Sequence, residues 1–206
     1  MKKVTIIGIA GGSGSGKTRL VKNILKEIDN QQVVSIDVDS YYKDLAHIPL
    51  EQRHINNFDH PNSIDFKLLN NDLNTILANE HIKVPVYDYK THTRKKDTFI
   101  EIKDAKVIIL EGILALYDEQ IRELMSMKIF VDTPSDVRLL RRIKRDVNKR
   151  GRTIESVMEQ YNNSVKPMFL KFVKPTKAYA DLIVPNGGKN KISIDTIVTN
   201  IKKTYI

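Results

Sequence analysis

From Val4 to Ala10 the chain is a nearly unbroken apolar run, and a second such run spans Val107 to Leu110. Strands buried on both faces of a parallel sheet require this pattern. After the first run the spacing turns helical. Leu20, Val21, Ile24, Leu25 and Ile28 put one apolar face on a helix over 17–29, and Leu68, Leu69, Leu73, Ile76 and Leu77 do the same over 65–79. Short apolar stretches at 33–37, 128–132 and 182–184 add strands. Further helices are expected at 118–125, at 134–149, from 154 onward, interrupted or kinked at Pro167, and at 193–202. Strands alternating with helices predict an α/β fold, a doubly wound parallel sheet of about five strands with flanking helices. Two stretches stand outside it. Residues 38–63 are too polar and irregular for core, and 83–102 read as a small β-hairpin flap with a polar tip at 91–97.

The first apolar run ends in Gly11-Gly12-Ser13-Gly14-Ser15-Gly16-Lys17-Thr18, where the 17–29 helix begins. Gly, four residues, then Gly-Lys-Thr is the Walker A pattern. Its glycines allow backbone N–H groups to converge on an anion, and the helix start adds positive potential there. Lys17 reaches the β- and γ-phosphates in this reading, and the Thr18 hydroxyl meets a magnesium ion. A flexible Gly/Ser linker does not fit, because Lys-Thr runs straight into an apolar-periodic helix.

Composition narrows the rest. The chain has 206 residues, 41% of them hydrophobic, which suits one domain over 1–206. No run of eighteen apolar residues occurs, so no membrane span is expected. Met1-Lys2-Lys3 before the first run imitates a signal peptide only faintly, and the run reads as a strand. With no cysteine, disulfides and thiolate metal sites are excluded, and a cytoplasmic location is compatible. The net charge of +9 gathers largely in 138–152. There Arg138, Arg142, Arg145 and Lys149 form one helix face, opposite Leu139, Leu140, Ile143 and Val147. A charge run of this kind is commonly a solvated face, or a nucleic-acid stripe. Beside a phosphate cradle, Arg150 and Arg152 around Gly151 suggest instead a lid over about 142–165, with no nucleic acid involved.

Candidate chemistry clusters at strand ends. Glu111 closes the second apolar run, where a carboxylate faces the ligand crevice and can hold magnesium. Asp37 and Asp39 close another, and either could accept a proton from an attacking hydroxyl or cap a helix. Phe58, Asp59 and His60, with Tyr87, Asp88, Tyr89, His92 and Arg94, mix aromatic faces, carboxylates and imidazoles suited to a nucleoside.

Taken in order, these stretches resemble the uridine (uridine/cytidine) kinases among the P-loop NTPase-type folds. The resemblance rests on Gly11 to Thr18, Asp39-Ser40-Tyr41-Tyr42, Asn57-Phe58-Asp59-His60-Pro61, Pro85-Val86-Tyr87-Asp88-Tyr89 and Leu110-Glu111-Gly112. It continues through Arg141-Arg142-Ile143-Lys144-Arg145-Asp146, Arg150-Gly151-Arg152, Gln160-Tyr161 and Pro175-Thr176-Lys177. It implies transfer of the γ-phosphate of ATP or GTP to the 5'-hydroxyl of uridine or cytidine, in a family that is typically tetrameric. It assigns Asp39 as base, Thr18 and Glu111 to Mg2+, and Asp59 and Arg142 to the ribose. Tyr87 and His92 fall to the pyrimidine edge, with Phe58 and Tyr89 lining its pocket. Arg145, Arg150 and Arg152 contact phosphates from the lid, and Gln160 lies near the acceptor. Tyr41 in place of the usual phenylalanine, and Lys149 in place of the usual glutamate, depart from the pattern.

Overall fold

The computed structural model describes residues 4–205, so Met1, Lys2, Lys3 and Ile206, the ends of the expected domain and of the signal-like start, lie outside the described residues. The chain alternates as expected. β1 (Thr5–Ala10) leads through the glycine-rich turn into α1 (Lys17–Ile28) and β2 (Val33–Asp37). α2 (Leu50–Arg53), α3 (Phe66–Leu77), β3 (Ile82–Asp88), β4 (Thr93–Ile102) and β5 (Val107–Glu111) follow. Next come α4 (Glu119–Glu123), β6 (Met125–Asp132), α5 (Ser135–Arg150), α6 (Ile154–Gln160), α7 (Lys166–Met168), β7 (Leu182–Pro185) and α8 (Lys191–Tyr205).

Five strands form one parallel sheet in the order β2-β5-β1-β6-β7. Every residue of β1 and β5 is buried, which their continuous apolar sequence requires. Alternate side chains of these strands feed two cores. Ile7, Ile9, Ile109 and Val131 pack on Leu20 and Ile24 of α1 and on Ile197 and Ile201 of α8. On the other face Ile6, Ile108, Leu110 and Phe130 share a core with Leu69, Leu73 and Ile76 of α3. Each such side chain contributes roughly 1.5–3 kcal/mol on full burial, so the two layers hold the strand ends in register. That register pairs Ile9 and Asp37 with Glu111, so one end of the sheet gathers the cradle and two carboxylates.

The flap departs from the expected outline. β3 and β4 form a separate antiparallel pair, in which Pro85 faces Phe99 while Tyr87 faces Arg94. The polar stretch 91–97 is therefore not one tip. It divides into the turn after Asp88, the start of β4, and a bulge beyond Arg94 where Asp97 takes φ +53°. Polarity misled because nearly all of β4 is solvent-exposed, so it carries no alternating apolar signal. The α-helical pattern from Ile154 is interrupted around Pro167, but the winding is not. The chain stays wound through π turns at Tyr161–Val165 and Phe169–Val173, with Pro167 in the short α7 between them.

Candidate active site

Gly14 and Gly16 adopt φ +78° and +97°, values that side chains disfavour, and a Cβ on Gly14 would meet the Arg138 carbonyl oxygen at 2.5 Å. The turn is held from outside. The Thr133 hydroxyl donates to the Ser15 carbonyl at 3.0 Å, and Arg141 donates to the same oxygen at 3.0 Å. Arg138, itself buried, donates to the Thr133 carbonyl and lies 3.9 Å from the Phe169 ring centre. The Ser15 hydroxyl is buried without a partner, an orphan donor inside the cradle.

Lys17 opens α1 among four carboxylates. Its charge acts on Asp37, Asp39, Asp59 and Glu111, which come from three separate segments. Burial pushes Glu111 above its usual range, and Asp37 adds to the shift while Lys17 and the Thr18 hydroxyl oppose it. Thr18 donates to Glu111 at 2.9 Å. These two hard oxygen donors fit a small divalent cation that completes its shell with phosphate and water, as magnesium does. Among the described residues no group of three or more His, Cys, Asp or Glu could cage a metal alone.

Asp37 and Asp39 separate in role. The Asp37 carboxylate accepts the Asp39 backbone N–H at 3.0 Å and caps the 3-10 turn Val38–Tyr41. One side of Asp37 is open to solvent, yet the protein packed around its carboxylate raises its pKa. Asp39, on that turn, is pushed up to about 7 by burial and by Asp37, against the pull of Lys17.

Aromatic side chains from three segments form an adjoining cluster, the place of the expected base pocket. Tyr42 meets Phe58 edge to face at 5.1 Å and Tyr87 at 5.3 Å, and Tyr87 meets Tyr89 at 5.6 Å. His92 stacks on Phe58 at 4.7 Å from a left-handed backbone, φ +54°, a conformation that persists only where surroundings impose it. The Tyr87 hydroxyl is buried without a partner. Asp59 is half-buried, raised by burial and lowered by Arg142, Lys17 and Arg145, so it stands between the pocket and the cradle. Arg94 does not join the pocket. It donates to the Tyr42 and Tyr41 carbonyls and pairs with Asp65 at 3.2 Å, tying the flap to the turn that carries Asp39.

The arginine helix is turned the opposite way from a solvated face. α5 buries Arg138, Arg142 and Asp146 and leaves Leu140 68% exposed. Arg142 donates to the Ser13 hydroxyl at 2.9 Å and to Gln160 at 2.8 Å, which joins the cradle to α6. Arg145 and Arg150 are not on the cradle. They converge with Arg142 on the fully buried Asp146, at 2.7, 3.4 and 3.5 Å respectively. Arg152 donates to Gln160 and to Ser156. Sequence reasoning gave Arg141 and Asp146 no role and set Arg138 only on the basic face; the i, i+4, i+8 spacing of Arg138, Arg142 and Asp146 was visible, but the surface they pack on was not.

The family model described as "Phosphoribulokinase / Uridine kinase family" matches residues 6–193. A uridine kinase of Halalkalibacterium halodurans is 50% identical over 202 residues, covering 98% of this chain and 95% of that protein. A uridine kinase of Clostridium botulinum is 46% identical over 202 residues, 98% of each chain. Among solved structures, one described as a possible uridine kinase from Bacillus stearothermophilus superposes with a TM-score of 0.60 at 20% identity, covering 89% of this chain and 90% of that one, a likeness of fold.

Proposed function

The chain belongs to the phosphoribulokinase/uridine kinase family, and from that premise we propose that it transfers the γ-phosphoryl group of ATP to the 5'-hydroxyl of uridine or cytidine. One observation carries the reading beyond the family. A carboxylate pushed up to about 7, Asp39, interacts both with Lys17 of the cradle and with Tyr42 of the aromatic cluster, where the Tyr87 hydroxyl is unpartnered. A flat base suits that pocket, and its edge would satisfy Tyr87 and His92. The rings of Tyr42, Phe58, Tyr87 and Tyr89 that meet there suit the face of a base better than a sugar phosphate.

In the proposed mechanism Asp39 accepts the proton of the 5'-hydroxyl as that oxygen attacks the γ-phosphorus. Asp59 and Arg142 orient the ribose, with Phe58 and Tyr89 against the base. Gly11, Gly12, Ser13, Gly14, Ser15 and Gly16 cradle the phosphates by backbone N–H groups, and Lys17 follows the charge as it moves to the leaving oxygen. Thr18 and Glu111 would hold Mg2+, which would supply positive charge against the phosphates when bound. Arg145, Arg150 and Arg152, released from Asp146 and Gln160, close over the phosphates. GTP as a second donor, a cytoplasmic location, a homotetramer and one domain over 1–206 with its lid at about 142–165 belong to the same proposal. They are supported by the resemblance and, for location, by the lack of cysteine. Among the described residues no helix is long and apolar enough to cross a membrane.

A coupled ADP-release assay across nucleosides and other small alcohols tests the proposal. Uridine or cytidine should stimulate ADP release in the presence of magnesium and yield the 5'-monophosphate. Stimulation by neither, or by a sugar phosphate alone, overturns it.

A further inference from the structure

We propose that Arg53 is a positioning residue for the acceptor base: its guanidinium ties the flap turn carrying His92 to the loop ahead of α2, and so sets which hydrogen bonds His92 can offer. The inference rests on the pyrimidine reading of the pocket. Its geometry is independent of that reading.

Arg53 closes the short helix α2, and each of its three guanidinium nitrogens donates. Nε donates to the Ile48 carbonyl at 2.7 Å, Nη2 to the Ala46 carbonyl at 3.2 Å, and Nη1 crosses to the Thr91 carbonyl at 2.7 Å. The first two bonds brace its own loop, and the third captures the residue before His92. A weaker tie runs beside it, from the Leu45 backbone N–H to the His92 carbonyl at 3.4 Å. Together they hold His92 in its left-handed conformation, with the imidazole stacked on Phe58. Lysine could reach one of these carbonyls, and only the five-donor fork serves two segments at once.

The three partners of Arg53 are carbonyl oxygens, so its charge is not cancelled by an acid. That charge faces His92 with His54 from the same segment and Asp88 from β3, while Phe58 supplies an uncharged face. Burial, Arg53 and His54 lower the His92 pKa, and Asp88 opposes them. A neutral imidazole offers one donor and one acceptor, whereas the protonated ring only donates. The 4-amino group of cytidine needs the acceptor; the 4-keto oxygen of uridine needs a donor, which both forms have. Arg53 therefore keeps the subsite open to both pyrimidines as pH falls.

The test uses the full chain and two variants, Arg53→Gln and Arg53→Lys, with the His92 imidazole titrated by NMR without ligand. Arg53→Gln should raise the His92 midpoint by about half a pH unit or more. It should also lower the cytidine-to-uridine ratio of kcat/KM about threefold more at pH 6 than at pH 8. Arg53→Lys should leave the midpoint near the parent's while raising KM for both nucleosides about tenfold, with kcat changed less than about threefold. A parent-like midpoint and ratio in Arg53→Gln overturn the electrostatic half, and parent-like KM values in Arg53→Lys overturn the positional half. Should Arg53→Gln fail to fold, Arg53→Lys alone decides the positional claim. If the parent phosphorylates neither nucleoside, the pyrimidine reading falls, and the His92 midpoint still decides whether Arg53 acts on it.

Discussion

The Thr18 hydroxyl donates to the Glu111 carboxylate at 2.9 Å, joining the first turn of α1 to the end of β5 across 93 positions of sequence. Both oxygens face the space beside Lys17, and both suit a hard cation. Glu111→Gln keeps an acceptor for Thr18 but removes the charge. The magnesium concentration for half-maximal activity should rise about tenfold or more, with the nucleoside KM little changed. Unaltered magnesium dependence would move the ion away from Glu111.

Asp39 carries two opposed consequences. Removing the proposed base by Asp39→Asn should lower kcat by about 10²–10⁴ while nucleoside binding, read by calorimetry, persists. Turnover of the parent should decline as pH falls below about 7, where the carboxyl is held by burial and by Asp37. The effect on stability has the other sign. A carboxyl raised above its unfolded value binds more protons folded than unfolded, so the stability it contributes is lost as pH rises from about 4 through about 7. Ligand-free Asp39→Asn should therefore melt at a higher temperature than the parent at pH 8, with the gain vanishing below about pH 4. Near-normal turnover, or a lower Tm at pH 8, would contradict the assignment.

Asp146 is completely buried, and Arg145, Arg142 and Arg150 all meet it. Burial alone would raise its pKa, but the hydrogen bond and charge of Arg145, aided by Arg142 and Arg150, hold it below the usual carboxylate range. Its contribution to stability is thus present above about pH 4 and lost as pH falls through the lowered value. Asp146→Asn leaves three guanidinium groups without their acid and should cost about 3 kcal/mol in urea denaturation at pH 7. Parent-like stability would mean the arginines find other partners.

Much of the fold was legible because its signals are local. The apolar runs at 4–10 and 107–110 and the helical spacing at 17–29 reappear as β1, β5 and α1, since strand burial and helix amphipathicity write themselves into neighbouring residues. The flap was read less well, because β4 is almost wholly exposed and its bulge leaves no periodic trace. Tyr41, which belongs to the Asp39-Ser40-Tyr41-Tyr42 stretch and departs from the usual phenylalanine, is fully buried with its hydroxyl donating to Asp72 at 2.8 Å. That bond joins positions 31 apart, and nothing near Tyr41 in sequence announces it.

By itself the sequence determined the glycine cradle, the parallel strands around it and the carboxylates at their ends, because backbone conformation and burial periodicity depend on adjacent residues. Tertiary structure alone decided which charges meet. It set Asp39 toward Lys17, turned the buried Arg142 of α5 onto Ser13 of the cradle, and set Arg53 against the turn before His92. Those partners lie on different elements, and their energies depend on distance and desolvation, quantities that exist only once the chain has folded.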